Sequence, residues 1–359
     1  IYPVGAISNI AEEYLHKYFI ENPKLKNIDK TALMAAAAAS KAFFEAGWNE
    51  SPEKITGVNI GSSRGSTTLY EKLHKEFLYN NNKKTSVYTS PLTTLGYISN
   101  HVAASLSIVG PVINTSVTCS TGIQAICNAI AWIKSGMANR FIAGGSEAPL
   151  TDFTIAQVDA LGIYTKNIES KYPCSPLSLA ENGTNTFVLG EGAAAFAIEK
   201  ININELRNYK PLGVIESVGF SFERPLTLTG ISEDGSLIAA SMKMALDNMI
   251  TDNDVDLILM HSPGTYKGDL AEISAIKTIF RNEQPNLFSN KWKIGHAYSA
   301  SPALNLELGL LCLQNDYTPY FPYKTSFQNQ KKNIRKVMIN ATGFGGNATS
   351  IIVSHPDVF

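Results

Sequence analysis

The sequence has few cysteines, no long apolar run and almost no net charge, and each of these absences excludes a class of protein. Among its 359 residues are only four cysteines, Cys119, Cys127, Cys174 and Cys312, whose irregular spacing matches neither a zinc site nor a disulfide framework. No segment approaches the roughly 20 apolar residues that span a bilayer. The formal net charge of −1 provides no field that would gather nucleic acid. We therefore expect a reduced, cytoplasmic protein that binds neither membranes nor nucleic acid.

What the chain does contain is an alternation of strand-like and helix-like segments, which indicates a layered α/β structure. Its length exceeds the usual size of one domain, so two domains or a duplicated fold are expected. Asp29 can cap a helix that runs through residues 31–48, whose alanine-rich middle suits close packing between layers. Residues 111–118 are typical of a strand, and they lead directly into a second helix.

Two segments of similar pattern suggest an internal duplication. Residues 186–200 and residues 336–354 each combine an apolar strand, a glycine turn and a second apolar strand. Each segment closes a stretch of similar length. The pattern therefore predicts two similar halves, with residues 1–205 as the first domain and residues 206–359 as the second.

Cys119 lies where the strand of residues 111–118 ends and a helix begins. The positive end of the helix macrodipole and the unpaired N–H groups at this point favour the thiolate, which is the nucleophilic form. The alternative is a small buried apolar side chain, as most free cysteines are. Position alone leaves both interpretations of Cys119 open, whereas Cys127 and Cys312 lie inside apolar helical runs and are interpreted as buried.

Two histidines follow the same logic. His261 ends an apolar strand, and His296 follows Lys291 by five residues; a core or capping role is the alternative for each. The segment GSSRGSTT (61–68) is rich in glycine and serine but lacks the GK[ST] ending of a phosphate-binding loop. A nucleotide site is therefore not expected, and no cluster has the spacing of metal ligands.

Five segments taken in order resemble the motifs of the β-ketoacyl synthases. In chain order they are TSVTCSTGIQAI (115–126), GGSEAPL with FVLGEGAA (144–150 and 187–194), HSPGTYKGDLAE (261–272), KWKIGH (291–296) and NATGFGGNA (340–348). Any one of them alone is a weak signal, but five in the family's order are specific. The resemblance implies a thiolase-like fold, in which two duplicated α/β halves form a five-layered α-β-α-β-α structure with the site at their join.

The resemblance also implies which branch of this superfamily the chain resembles. Thiolases place a second cysteine in the late glycine turn, where this chain has Phe344. Starter-unit synthases have an asparagine where this chain has His296. Cys119, His261 and His296 are therefore similar to the Cys-His-His set of the elongating synthases.

Further roles carry over from the family to matching positions. The backbone N–H groups of Cys119 and Phe344 are expected to form an oxyanion hole, and the Phe344 side chain to act as a gate for the acyl chain. Lys291 and Glu272 are expected to form a buried ion pair that holds the histidines. Thr265 matches a residue that contacts the phosphopantetheine arm.

The implied reaction is a decarboxylative Claisen condensation between an acyl group on Cys119 and malonyl-acyl carrier protein, in fatty-acid, polyketide or polyene biosynthesis. No separate cofactor is expected, because phosphopantetheine arrives on the carrier protein. A homodimer built through the strand of residues 111–118 is expected, and a heterodimer with a chain-length-factor-like subunit is the alternative. Cations that would dock the acidic carrier are expected at Lys24, Lys26 and Lys30.

Two other functions use the same residues. One is a partner subunit that sets chain length or only decarboxylates, although such partners commonly replace the cysteine. The other is a non-condensing acyltransferase, which requires less from the two histidines. Departures from the family pattern at residues 175–187, Pro263 and Trp292 indicate a divergent branch and leave the substrate open.

Overall fold

Strands and helices alternate along the chain in the computed structural model, which describes residues 2–22, 28–181, 183–224, 230–246, 250–281, 284–327, 329 and 333–359. The strands are β1 (Val4–Gly5), β2 (Thr56–Gly61), β3 (Val112–Ile113), β4 (Arg140–Glu147), β5 (Leu189–Gly190), β6 (Gly192–Glu199), β7 (Val214–Phe222), β8 (Leu257–Leu259), β9 (Asn286–Phe288), β10 (Lys336–Gly343) and β11 (Asn347–Ser354). The helices are α1 (Asn9–Glu21), α2 (Lys30–Glu45), α3 (Thr67–Tyr79), α4 (Thr89–Thr93), α5 (Tyr97–Ser105), α6 (Thr121–Lys134), α7 (Asp152–Ala160), α8 (Leu206–Tyr209), α9 (Ser236–Ala245), α10 (Tyr266–Ile279), α11 (Lys291–Ile294) and α12 (Ala300–Asn315). Within these described ranges, no helix is long and apolar enough to cross a membrane.

The first sheet has the strand order β3-β2-β4-β6. Strand β2 pairs in parallel with β3 and β4, and β6 pairs antiparallel with β4. Helix α2 covers its outer face and begins as predicted, because the Asp29 carboxylate accepts the Thr31 N–H at 2.8 Å. Three alanines of α2, Ala32, Ala36 and Ala39, are fully buried, so that the helix approaches the sheet closely.

The second sheet has the strand order β7-β11-β10-β8-β9 and repeats the arrangement of the first. Strand β8 pairs in parallel with β9 and β10, and β11 pairs antiparallel with β10. The parallel and antiparallel pairings thus follow one another in the same order in both sheets. This repetition confirms the predicted duplication.

Helices and sheets stack in five layers. Helices α2 and α5 lie outside the first sheet, α6 and α12 lie between the sheets, and α9 and α10 lie outside the second sheet. The middle layer holds a large apolar core, in which Ile123 and Ile126 of α6 meet Leu306 of α12 and strand residues of both sheets. The thiolase-like, five-layered α/β fold is confirmed.

Residues 186–200 do not form the expected strand–turn–strand unit. Strand β5 pairs in parallel with β1, whereas β6 pairs with β4. The counterpart of the tight turn between β10 and β11 is therefore the long segment of residues 148–191 between β4 and β6. Its glycine turn has the sequence pattern of a hairpin, but the strands on either side of the turn pair with β1 and β4 and not with each other.

Two further expectations concern segment bounds. The predicted strand of residues 111–118 is regular only over Val112–Ile113, because the chain turns sharply before the next helix. The first sheet ends at Glu199 and the second begins at Val214. The predicted boundary between the domains of residues 1–205 and 206–359 lies in the connecting segment and stays a prediction.

Candidate active site

Cys119 is held at a sharp turn between β3 and α6. The preceding Thr118 has a φ of +60°, a left-handed conformation that is costly for a β-branched residue. Two hydrogen bonds stabilise this turn: the Thr118 hydroxyl donates to the Phe344 carbonyl at 3.1 Å, and the Thr118 carbonyl accepts the Thr121 N–H at 3.2 Å. The chain therefore presents the Cys119 thiol at the start of a helix, with 7% of the residue exposed.

The thiol of Cys119 is protonated in the resting site. Burial and, to a smaller extent, the nearby Glu147 carboxylate together raise its pKa to about 12, although Lys291 offsets part of the shift. Desolvation therefore outweighs the effect of the helix start in the resting site, and the nucleophilic role of Cys119 stays a prediction. For Cys119 to act as a nucleophile, its proton must leave the sulfur during the attack.

The glycine turn between β10 and β11 lies beside Cys119. A Cβ on Gly343 would lie 2.0 Å from the Thr118 hydroxyl oxygen, so only glycine permits this approach. Gly345 and Gly346 have φ values of +92° and +79°, which reverse the chain within the turn. Phe344 thereby brings its backbone and its partly exposed ring to the nucleophile.

His261 and His296 meet at the same place from different elements. His261 follows β8, and His296 follows α11. Their ring centroids are 5.3 Å apart with an angle of 89° between the ring planes. Burial lowers the pKa of both imidazoles well below 6.5, and the charge of Lys291 lowers each further. Both rings are neutral at physiological pH and can each donate one hydrogen bond and accept another.

The backbone and ring of His296 are both fixed. Its N–H donates to the Val188 carbonyl at 2.7 Å, and its carbonyl accepts the Gly190 N–H at 3.0 Å. Its Nδ1 lies 3.0 Å from the Ser301 hydroxyl oxygen, which accepts the Ala297 N–H at 2.9 Å. Because Nδ1 is the acceptor that lies beside the Ser301 hydroxyl among the described residues, we assign the Ser301 O–H as donor to Nδ1. The ring proton is then on Nε2, which is free to donate to a substrate oxygen.

Glu272 fixes His261 through its backbone. One carboxylate oxygen accepts the His261 N–H at 3.0 Å and the Asn340 side-chain amide at 3.1 Å. The other accepts the Ser262 N–H at 2.8 Å and the Ser262 hydroxyl at 3.0 Å. Four hydrogen bonds thus satisfy a carboxylate that is almost fully buried.

Lys291 does not form the predicted direct ion pair with Glu272. Both residues are described, and no nitrogen–oxygen contact between them falls within 4.0 Å, the limit for an ion pair. The physical reason is that the four donors already occupy the Glu272 oxygens. Burial lowers the pKa of Lys291 to about 8, and the attraction of Glu272, Cys174 and Asp269 offsets part of that shift. Lys291 therefore interacts with the Glu272 carboxylate through its charge and not through a direct contact.

Asp269 belongs to this buried group, although the sequence motif did not single it out. Its carboxylate accepts the Gly264 N–H at 3.1 Å and the Leu177 N–H at 3.3 Å. Burial raises its pKa to about 8. Asp269 anchors the segment between His261 and α10.

A cavity of about 750 Å³ connects these groups with the surface. In the described part of the chain it is lined by Cys119, both histidines, Glu272, Phe344 and Thr265. The predicted arm contact, Thr265, is therefore on the cavity wall, and Pro263 lies there too. Its apolar wall includes four residues of the 148–191 segment, namely Val158, Leu161, Ile163 and Phe187.

Lys30, which was predicted to dock the carrier, pairs its ammonium with Glu12 at 2.5 Å and with the buried Glu191 at 2.7 Å, and its side chain is 33% exposed. The carrier dock at Lys30 stays a prediction. Lys24 and Lys26 lie outside the described residues.

Comparison with known proteins agrees with this geometry. Residues 3–202 match the family Beta-ketoacyl synthase, N-terminal domain, and residues 212–322 match Beta-ketoacyl synthase, C-terminal domain. A 3-oxoacyl-[acyl-carrier-protein] synthase 2 of Staphylococcus aureus is 26% identical over 349 residues, which cover 93% of this chain and 86% of that protein.

Two solved structures show the same fold. One belongs to a complex of a type II polyketide synthase acyl-carrier protein with its ketosynthase bound to the hexaketide; its TM-score is 0.83 at 22% identity, over 98% of this chain and 87% of its own. The other, from Xenorhabdus doucetiae, belongs to a complex of a ketosynthase with its chain length factor; its TM-score is 0.75 at 21% identity, over 98% of this chain and 85% of its own. Because the two family models match most of its length, this chain belongs to the β-ketoacyl synthase family.

Proposed function

We propose that the protein joins an acyl group held on Cys119 to the carbon skeleton of a malonyl thioester, with release of CO2. The observation that carries this proposal is the placement of Cys119, His261 and His296 on one cavity, with both imidazoles neutral. A nucleophile alone would suffice for acyl transfer. Two hydrogen-bonding imidazoles suit a reaction in which an enolate must also be stabilised.

In the first stage Cys119 takes the acyl group from its thioester. The sulfur attacks the carbonyl carbon while its proton passes to His261, since Nε2 of His296 already carries one. Negative charge develops on the carbonyl oxygen, and the N–H groups of Cys119 and Phe344 donate hydrogen bonds to that oxygen. The bond to the leaving thiol then breaks, and that sulfur takes the proton from His261.

In the second stage the malonyl thioester loses CO2. The bond between its carboxylate and C2 breaks, and the electron pair forms an enolate whose oxygen accepts hydrogen bonds from His296 and His261. C2 then attacks the acyl carbonyl, which forms the new carbon–carbon bond. The bond to the sulfur of Cys119 breaks, and the thiolate takes up a proton from water, which replaces the proton that left with the first carrier thiol. The product is a β-ketoacyl thioester, two carbons longer than the acyl group.

We propose an acyl carrier protein as the partner that brings both thioesters. Its phosphopantetheine arm would enter the cavity past Thr265, and no other cofactor is required by the steps above. The solved relatives that form complexes with an acyl-carrier protein and with a chain length factor support this proposal.

For assembly we propose a homodimer through β3. This strand lies at the edge of the first sheet, and Val112 on it is 38% exposed, so a second copy could continue the sheet. A heterodimer with a chain-length-factor-like subunit would use the same edge. The mass of the native particle, measured on the purified chain, separates the two assemblies.

One experiment tests the reaction. The protein is incubated with hexanoyl-carrier protein, the mass of the peptide that contains Cys119 is measured, and malonyl-carrier protein is then added while CO2 is followed. Acylation followed by CO2 and a β-ketoacyl product supports the proposal. Acylation without CO2 identifies a non-condensing acyltransferase, and CO2 without acylation identifies a decarboxylating partner subunit.

A further inference from the structure

We propose that Glu147 is a positioning residue that holds the segment from His296 to Ser299 against the nucleophile helix α6. Glu147 ends β4, is fully buried, and has no role in the chemical steps described above. The proposal rests on the proposed condensation, because it assigns to Glu147 the alignment of the two groups that the condensation brings together.

The first half of the molecule surrounds the Glu147 carboxylate with donors. One oxygen accepts the Ser62 hydroxyl at 2.6 Å and the Arg64 N–H at 3.1 Å. The other accepts the Ser63 N–H at 2.9 Å and the Ser63 hydroxyl at 2.5 Å. The glycine- and serine-rich loop that imitates a phosphate-binding sequence therefore binds a carboxylate of its own chain.

The second half of the molecule reaches the same carboxylate through Ser299. The Ser299 hydroxyl donates to Glu147 at 2.7 Å, and its N–H does so at 3.4 Å. Its carbonyl accepts the Gly122 N–H of α6 at 3.1 Å. A Cβ on Gly122 or on Gly145 would lie 2.3 Å or 2.6 Å from that carbonyl oxygen, so the Ser299 backbone is lodged between α6 and β4.

The residues in this contact are close in sequence to His296 and Cys119, so the contact aligns the imidazole with the thiol. Ser299 lies three residues after His296, and Gly122 lies three residues after Cys119. A shift of the Ser299 backbone therefore moves the imidazole and the thiol relative to each other. A misplacement of about 1 Å between reacting groups can cost about 100-fold in rate.

The contacts require a carboxylate in particular. All six are donated to Glu147, and within the described ranges no side-chain nitrogen of a Lys, Arg or His forms an ion pair with it at 4.0 Å or less. A glutamine at this position would direct an N–H2 group at donors and leave buried hydrogen bonds unmade. The isosteric change Glu147→Gln is therefore expected to loosen the Ser299 contact.

The test compares two buried serines that flank the carboxylate in different ways. Ser299→Ala removes the hydroxyl bond to Glu147 and leaves only the longer backbone N–H contact at 3.4 Å. Ser146→Ala is the matched control, because Ser146 is equally buried and adjacent to Glu147, but its hydroxyl donates to the Thr31 carbonyl at 2.7 Å. With hexanoyl- and malonyl-carrier protein, Ser299→Ala should lower the kcat of condensation about 10- to 100-fold with little change in KM. The kcat of Ser146→Ala should stay within about twofold of the wild-type value, since the hydroxyl that this change removes bonds to Thr31.

A double-mutant cycle separates positioning from general destabilisation. If Glu147 acts through Ser299, adding Ser299→Ala to Glu147→Gln should cost no further kcat. Multiplicative losses, or equal kcat values in Ser299→Ala and Ser146→Ala, would overturn the proposal. Should Glu147→Gln not fold, the comparison of the two serine variants still decides it.

A failure of the condensation proposal can be recognised separately. If the wild type releases no CO2, the proposed function is wrong, and alkylation of Cys119 by iodoacetamide then tests the alignment without turnover. Slower alkylation in Ser299→Ala than in Ser146→Ala supports the positioning role, because the thiol is displaced from its proton acceptor. Equal alkylation rates overturn it.

Discussion

Replacing Gly343 by alanine should disable acyl transfer while leaving most of the fold intact. The new Cβ would lie 2.0 Å from the Thr118 hydroxyl oxygen and 3.1 Å from the Val117 carbonyl oxygen. Since unstrained heavy-atom contacts need about 3.5 Å, the glycine turn must separate from Thr118 by about 1.5 Å. The separation carries the Phe344 N–H away from the position of the oxyanion in the proposed reaction. Loss of one such donor typically costs about 100- to 1,000-fold in kcat.

The assay is single-turnover acylation of Cys119 by hexanoyl-carrier protein, read as peptide mass against time. Overpacking of this kind costs about 1–3 kcal/mol of stability, so thermal unfolding should show a modest decrease in Tm. Gly96→Ala is the control, because nothing lies within 4 Å of its Cβ position and its φ is −62°. A Gly343→Ala enzyme that acylates at the wild-type rate, with only its Tm lowered, would refute the reasoning.

Three further predictions concern the histidines and the buried lysine. Ser301→Ala should slow CO2 release about tenfold and leave Cys119 acylation nearly unchanged, because the tautomer of His296 is no longer fixed; equal losses in both steps would contradict this. Since the pKa values of His261 and His296 lie well below 6.5, the rate of CO2 release should be flat from pH 6 to 8, and a decrease centred near pH 6.5 would show that a histidine is protonated there. The pKa of Lys291 falls to about 8 on folding, so the unfolded state binds more protons between pH 8 and 10.5. The Tm of the wild type relative to Lys291→Met should therefore rise with pH over that window, and a constant difference would argue against the shift.

The sequence predicted which residues meet, and the reason is topological. Cys119 follows β3, His261 follows β8 and the Phe344 turn follows β10. Loops at the carboxyl ends of strands in α/β folds converge on one edge, and duplication of the fold brings two such edges together. The order of the motifs along the chain could therefore predict which residues lie together in the cavity.

Protonation and pairing could not be predicted in this way. The resting state of Cys119 depends on how much of the thiol is desolvated, which is a property of the packed interior. The predicted Lys291–Glu272 ion pair was wrong because the Glu272 carboxylate accepts hydrogen bonds from backbone N–H groups of the neighbouring turn. The pairing of Lys30 with Glu191, a residue distant in sequence, also could not be predicted from the sequence.

Polar residues that support the site carried only weak sequence signals. Asn340 and Glu147 stand inside matched motifs, where nothing distinguishes a supporting role from a chemical one. Ser301 lies outside the motifs, and only the 3.0 Å contact with His296 reveals its part.

The two halves connect their antiparallel strands in different ways, and this difference affects how such an enzyme can diverge. The turn from Gly343 to Gly346 joins neighbouring strands with no spare residue, and it carries the Phe344 N–H that we propose as an oxyanion-hole donor. At the equivalent place in the first half, residues 148–191 form a long excursion that contributes Val158, Leu161 and Phe187 to the cavity wall. One copy of the ancestral unit is thus constrained by chemistry, while the other can vary in length and side chains as its supporting sheet stays paired. We expect new acyl specificities to arise by drift in this excursion, with the reaction itself unchanged.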